Sequence, residues 1–177
     1  LPVAITTLGY ALLGLIRAEP RTGYALRMVF ETTPTGSYSS SPGSIYPALK
    51  GLEKQGLITA EAAGKRKSVL HITPEGRRQF ETWLTAPMGA EEGIDTALLR
   101  FAFLNDYPDR QVTLDFLTAF NTVMAGRAAG LKGWLAGDEA KAMPLQARLA
   151  VLHGLRSLEA SAQWASEAYV ELKGEVK

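Results

Sequence analysis

Hydrophobic and polar positions alternate at helical spacing along most of this chain, with one interruption that has the rhythm of strands. In TTLGYALLGLIRAEP, Leu8, Leu12, Leu15 and Ile16 fall on one helical face, and Pro20 ends the segment. RTGYALRMVFETTPTG sets Leu26, Val29 and Phe30 on one side, with Thr22 as N-cap and Pro34 and Gly36 closing it. In SSSPGSIYPALKGLEKQG, proline fixes where a third helix starts. Pro47 lacks an N–H and clashes with a preceding turn, so it belongs in a first turn. Ser44 as N-cap makes Pro47 the third helical residue, and Ser41, Pro42 and Gly43 become the turn leading in. Ile45, Ala48, Leu49 and Leu52 then face inward, while Pro47, Lys50 and Lys54 point outward, flanked by Tyr46 and Gly51.

The interruption follows. LITAEA and SVLHIT are rich in β-branched residues and joined by AGKRK, which predicts a hairpin whose tip carries Gly64, Lys65, Arg66 and Lys67. TPEGRRQFETWLTAP reopens the helical pattern with Thr73 at the N-cap, Pro74 at the first position and Glu75 in the first turn. Phe80, Trp83 and Leu84 face inward up to Pro87, and MGAEEG reads as a linker. Beyond it everything is helical. Ile94, Leu98, Phe101 and Ala102 share one face, and a second helix beginning past Pro108 carries Val112, Phe116, Phe120 and Val123. The last segment is the most regular, with Val151, Leu155, Leu158, Ala162, Ala165, Tyr169 and Leu172 alternating in steps of four and three. That is a heptad seam of about three repeats, enough for a coiled-coil reading. Residues 1–87 and 88–177 are therefore expected as two domains.

Composition changes this picture little. The 177 residues are 46% hydrophobic and 21% charged, ordinary values for a globular chain. No run approaches the roughly 18 apolar residues of a membrane helix, and no signal-peptide pattern opens the sequence. The first residue is Leu1, so a few starting residues are expected to precede it. Cysteine is absent, which excludes disulfides and thiolate chemistry and fits a cytoplasmic home. Charge is more telling once divided at Pro87. Residues 1–86 hold ten Lys or Arg against six Asp or Glu, and residues 87–177 hold nine against twelve. A basic first half points weakly to an anionic partner.

Catalysis finds no support in the pattern. His71 and His153 lie 82 residues apart without metal-ligand spacing, and no phosphate-binding or nucleophile-elbow motif occurs. His71 reads as a packing residue of the hairpin, and the pairs Glu91–Glu92 and Asp138–Glu139 read as solvated helix-boundary charges. No catalytic residue, metal ligand or cofactor is expected. The order helix, helix, helix, hairpin describes a winged helix-turn-helix, in which the third helix enters the DNA major groove and the hairpin reaches a flanking phosphate or the minor groove. Small residues at Gly43, Ser44, Pro47 and Gly51 would permit close approach. Lys50 and Lys54 add cations, and Tyr46 can cover a base methyl or donate a hydrogen bond. Lys65, Arg66 and Lys67 cluster with phosphate binding as their simplest explanation. Blander readings stand beside these: Tyr46 as core, Lys54 as a solvated cation answering the helix dipole, Tyr24 as a packing residue, Tyr38 open.

LLGLI at 12–16, TGYAL at 22–26, SPGSIYPALKGLEKQGLI at 41–58 and ITPEGR at 72–77 resemble the PadR family of bacterial transcriptional regulators. The family pattern usually has histidine before the Gly-Tyr of the second helix, where this chain has Thr22. The resemblance implies a mainly α protein with an N-terminal winged helix-turn-helix and a C-terminal all-α dimerisation domain. It further implies a homodimer that binds a pseudo-palindromic operator in double-stranded DNA, usually as a repressor, and is released by a small-molecule effector or other signal. The DNA-binding residues expected on this basis and from the pattern are Thr22, Tyr38, Ser41, Ser44, Tyr46, Pro47, Lys50, Lys54, Lys65, Arg66 and Lys67, with the 151–172 seam for dimerisation. Two other classes compete. One is a winged-helix protein-interaction module without DNA. The other is a small-molecule sensor whose pocket would draw on Trp83, Phe116, Phe120, Trp134 and Trp164, although aromatics at helical spacing are more often core.

Overall fold

The computed structural model describes residues 4–33, 42–64 and 67–174. In chain order these form α1 (Thr7–Ala18), β1 (Arg21–Thr22), α2 (Gly23–Thr32), α3 (Ile45–Lys54), β2 (Ile58–Ala62), β3 (Ser68–Ile72) and α4 (Pro74–Thr85). Then come α5 (Ile94–Phe103), α6 (Arg110–Leu135), the short α7 (Asp138–Ala142) and α8 (Leu145–Gly174). Single 3-10 turns lead into α3 at Pro42–Ser44 and follow α5 at Leu104–Asp106. The chain separates into two compact units, Leu1–Ala86 with Gly93–Phe103, and Pro87–Glu92 with Leu104–Lys177. The linker expected at 88–93 carries no helix or strand, and α5 beyond it packs with the first unit.

In the first unit, α1, α2, α3 and α4 enclose a core of Leu8, Leu12, Leu13, Ile16, Leu26, Ile45, Leu52, Phe80 and Leu84, each nearly closed to solvent. Burial of this kind is the main favourable term in folding. Capping sets the helix starts. Thr6, Thr22 and Thr73 each accept from a backbone N–H three residues on, at Gly9, Ala25 and Gly76. Each satisfies one of the orphan donors of a first turn. The α4 start agrees with its sequence signal in full, with Pro74 first and Glu75 in the first turn. Glu75 accepts from Arg78 and Gln79, and those hydrogen bonds hold its carboxyl below the usual range. Gly56, at φ 71°, lets the chain leave α3 in the left-handed conformation and turn directly into β2.

The sheet has three strands in the order β1-β3-β2, all antiparallel. The hairpin was legible, with Ile58 opposite Ile72 and Ala62 opposite Ser68. The third strand was not. Arg21 pairs with Leu70 and Thr22 with Val69, attaching the start of α2 to the sheet edge.

One expected face is corrected. On α5 the buried residues are Ala97, Leu99 and Arg100, whereas Ile94, Leu98 and Phe101 are half-buried and Ala102 is exposed. The reason is Arg100, 2% exposed, whose guanidinium donates to the carbonyls of Leu84 and Ala86 at the end of α4. A cation at the carbonyl end of a helix is favourable, and it turns that face of α5 inward.

In the second unit, α6 and α8 pack along their lengths. Phe120 meets Phe116 at 6.3 Å and Trp164 edge-on at 5.7 Å, with Leu117, Met124 and Ala128 buried beside them. Asn121 donates to the Ala162 carbonyl at 2.7 Å and to Ser166 Oγ at 2.9 Å, which pins the register of the two helices. Arg127 of α6 holds the linker by donating to the carbonyls of Ala90 and Glu92. Of the heptad seam, Leu155, Ala162 and Ala165 are buried within the chain, while Val151, Leu158, Tyr169 and Leu172 stay half-buried.

Candidate nucleic-acid interface

The elements that the sequence singled out surround one open concavity of about 700 Å³ in the first unit. Three pieces of chain make its walls. Thr22, Gly23 and Tyr24 come from the β1–α2 junction, Tyr46, Pro47, Lys50 and Glu53 from α3, and Ala60, Lys67 and Ser68 from the hairpin. The junction is placed there by β1, since pairing with β3 brings Thr22 opposite Val69, beside the start of the strand that follows Lys67. Thr22 is then spent on its own helix, with Oγ1 accepting from the Ala25 N–H at 3.1 Å.

Helix α3 begins at Ile45, so Pro47 is its third residue as its chemistry requires. Ser44 is the N-cap by position, but it has αR backbone angles and makes no side-chain cap bond because the 3-10 turn runs straight into the helix. Ile45, Leu49 and Leu52 are buried and Ala48 is half-buried; Pro47, Lys50 and Lys54 are exposed. A methyl group added at Gly51 would meet nothing within 4 Å, so that flank is open. Lys54 is exposed but does not line the concavity.

Tyr46 is 49% exposed, which decides against a core role. Its ring lies across the start of α2, where a Cβ on Gly23 would approach Cε1 to 3.0 Å. Tyr24, expected to pack, is instead 66% exposed at the rim. Arg27, one turn further along α2, is occupied by Glu31 at 2.6 Å, and that hydrogen bond raises its already high pKa. At the hairpin, the Ala63 N–H donates to the Lys67 carbonyl at 2.8 Å, closing the strand pair and leaving the Lys67 side chain exposed. Tyr38, Ser41, Lys65 and Arg66 lie outside the described residues. Glu53 is the charged lining residue that sequence reasoning missed. Its place on the Tyr46 side of α3, seven residues on, was the available signal.

Other chemistry is sparse. Among the described residues no group of His, Asp and Glu could hold a metal ion, and no helix is long and apolar enough to cross a membrane. His71 packs on the hairpin as expected, with Nε2 3.2 Å from Glu61. Of the aromatics considered for a sensor pocket, Phe116, Phe120 and Trp164 form core, Trp83 stacks on Tyr10 at 4.3 Å, and Trp134 is 39% exposed.

Three helices and a hairpin presenting an exposed helix face beside a wing define a winged helix-turn-helix. Residues 12–82 match the transcriptional regulator PadR-like family, and they form a PadR-like domain homologous to the Bacillus PadR regulators. The chain is 27% identical over 112 residues to the negative transcriptional regulator PadR of Bacillus subtilis, covering 61% of this chain and 62% of that one. It is 33% identical over 70 residues to the transcriptional regulator YqjI of Escherichia coli, covering 40% of this chain and 34% of that one. The matches thus span less than two thirds of either relative. A PadR-like regulator of Bacillus cereus is a similar solved structure, 25% identical over 94% of this chain and 99% of that one, with a TM-score of 0.42. Another is Bacillus subtilis PadR in complex with operator DNA, 23% identical over the same shares, also at 0.42.

Proposed function

We propose that this protein is a cytoplasmic DNA-binding transcriptional regulator, acting as a homodimeric repressor on a pseudo-palindromic operator and released by a small molecule or other signal. The observation that carries the reading is the concavity itself. It brings the exposed face of α3, the capped start of α2 and Lys67 of the wing to one surface. Tyr46, Pro47 and Lys50 are set to enter the major groove, with small side chains allowing close approach and Tyr46 able to cover a thymine methyl. Lys67, continuing the basic run of Lys65 and Arg66, is set to neutralise flanking phosphates, which positions the protein without reading sequence. Support also comes from the relatives, a negative regulator among them.

The dimer reading rests on α8. Val151, Leu158, Tyr169 and Leu172 keep part of their surface, and Leu145, Leu149 and Val170 on the same helix are exposed. A second copy packed on the exposed parts of this helix would cover the seam residues' remaining surface and set two α3 helices about 34 Å apart, the spacing of successive major grooves.

The test is binding to the DNA upstream of the protein's own gene across a salt series, for the natural chain and for Lys65→Ala, Arg66→Ala and Lys67→Ala combined. Tight, salt-steep binding that the triple change weakens is expected. The slope of log affinity against log salt should fall by about 0.9 for each phosphate no longer neutralised. Binding no tighter than to random DNA, indifferent to the wing at this and other promoters, would refute the reading in favour of a protein-interaction module.

A further inference from the structure

We infer that Glu53 is a specificity-determining residue of the α3 surface, accepting a hydrogen bond from the amino group of a cytosine and repelling phosphate from its part of the cleft. The inference rests on the DNA-binding reading above and names what one wall of that site recognises.

Glu53 is an anomaly in a cleft whose other charged lining residues are Lys50 and Lys67. It sits one turn past Lys50 and two turns past Tyr46, so the three form a row on the side of α3 that faces the hairpin. A carboxylate there opposes the attraction that the lysines exert on a polyanion. The carboxylate is also unspent: among the described residues nothing donates to it. Glu19, Glu31, Glu61 and Glu75 of this unit are held by Arg21, Arg27, His71 and Arg78; Glu81 on α4 has no side-chain partner among the described residues but does not line the cleft. Lys50 and Lys54 do not close on it within ion-pair distance either.

An exposed acceptor with two oxygens needs a donor from the ligand. In the major groove, donors are the amino groups of cytosine and adenine. Adenine sets its N7 acceptor beside the amino group, which suits an amide that can both give and take but repels a carboxylate. Cytosine offers the amino group without an adjacent acceptor on the same base, so cytosine is the base that Glu53 fits. Phosphate, an acceptor bearing charge of the same sign, is excluded from this wall. Glu53 thereby lowers affinity for DNA in general and returns part of it only where a cytosine meets it, which is how a single residue yields discrimination.

The experiment selects duplexes from a library with a randomised centre, using the natural chain and Glu53→Gln, and then measures affinity for the selected site, for that site with each conserved cytosine replaced by thymine, and for random duplex. Glutamine keeps the shape and removes the charge. The expected result is that Glu53→Gln binds random duplex severalfold tighter. At one cytosine position its discrimination against thymine falls by about 5- to 100-fold, the range of a single good base contact. A natural chain that selects nothing above random overturns the DNA-binding reading, and this inference with it. Selective binding by the natural chain with unchanged discrimination in Glu53→Gln overturns the inference alone. Equal loss on all duplexes would also overturn it, making Glu53 a support for the fold or the wing, and thermal unfolding of the variant separates those two.

Discussion

Gly76→Ala and Gly126→Ala are the same chemical change in the interior of a helix, and the structure assigns them opposite signs. Alanine is favoured over glycine in a helix by about 1 kcal/mol, so both begin with that gain. At Gly126, on the exposed side of α6, the new methyl meets nothing within 4 Å and the gain stands. At Gly76 the methyl would lie 2.0 Å from the Leu57 carbonyl oxygen, 2.9 Å from its carbon and 3.0 Å from Ile72 Cγ1. Relief requires a shift of about 1 Å, because carbon and oxygen do not approach closer than about 3 Å without repulsion. The oxygen cannot give way freely, since it accepts from the Thr73 N–H at 3.0 Å at the start of the same helix. Moving α4 off β2 loosens that bond, worth about 1 kcal/mol, and adds an overpacking cost of about 1–3 kcal/mol. The net expectation for Gly76→Ala is destabilisation of about 1–3 kcal/mol, against stabilisation of up to about 1 kcal/mol for Gly126→Ala. Urea unfolding followed by circular dichroism, at fixed protein concentration, gives both values from the midpoints. A Gly76→Ala midpoint at or above that of the natural chain would refute the close approach of α4 to Leu57.

Thr73→Ala removes the cap of α4 and the hydrogen bond from Thr73 Oγ1 to the Gly56 carbonyl at 2.7 Å, so a loss of about 1–2 kcal/mol is expected in the same assay. Phe120→Ala empties the aromatic centre between α6 and α8 and should cost about 3–5 kcal/mol, read as loss of the helical unit's unfolding transition. Arg127→Ala frees the Ala90 and Glu92 carbonyls, so a glutamate-specific protease should cut after Glu91 or Glu92 faster than in the natural chain while the thermal transition of the first unit is unchanged. Glu75 has a lowered pKa, chiefly from its Arg78 hydrogen bond, so its contribution is present above the ordinary glutamate range and fades as pH falls through the lowered value. Glu75→Gln should lower stability slightly at neutral pH, where that contribution is present, and leave stability nearly unchanged at pH below the lowered value, so the profile loses part of its acidic slope.

Wherever a local rule with a steric cause was available, the sequence was a sufficient guide. Proline in a first turn placed α3 to the residue, and Thr73, Pro74 and Glu75 placed α4. The exposed row of Pro47, Lys50 and Lys54 followed from a period of 3.6 alone. Failures came where an interaction between distant residues outweighed the pattern. Periodicity counts apolar residues, so it could not foresee Arg100 turning inward to meet two carbonyls at the end of α4, and it assigned α5 the wrong face. It judged Tyr24 by its aromatic ring, although the position one residue past Gly23 leaves the side chain at the rim of the cleft. Glu53 escaped notice because a lone acidic residue on a helix ordinarily means only solvent.

The shortest element has the largest consequence for the site. Arg21 and Thr22 are two residues of strand, below the length at which alternation can be detected, and they stand between a proline and a glycine that read as punctuation. Yet their pairing with Leu70 and Val69 is what carries the α2 start to the hairpin and makes a cleft of three separate segments. Without β1, α2 would present Tyr24 and the Thr22 cap wherever the loop after α1 allowed, and Tyr46 would lose the surface of Gly23 that it lies across. Side-chain chemistry named Thr22, Tyr46, Pro47, Lys50 and Lys67 of the cleft in advance, but their meeting depends on a backbone ladder, which uses no side-chain identity and leaves no compositional trace.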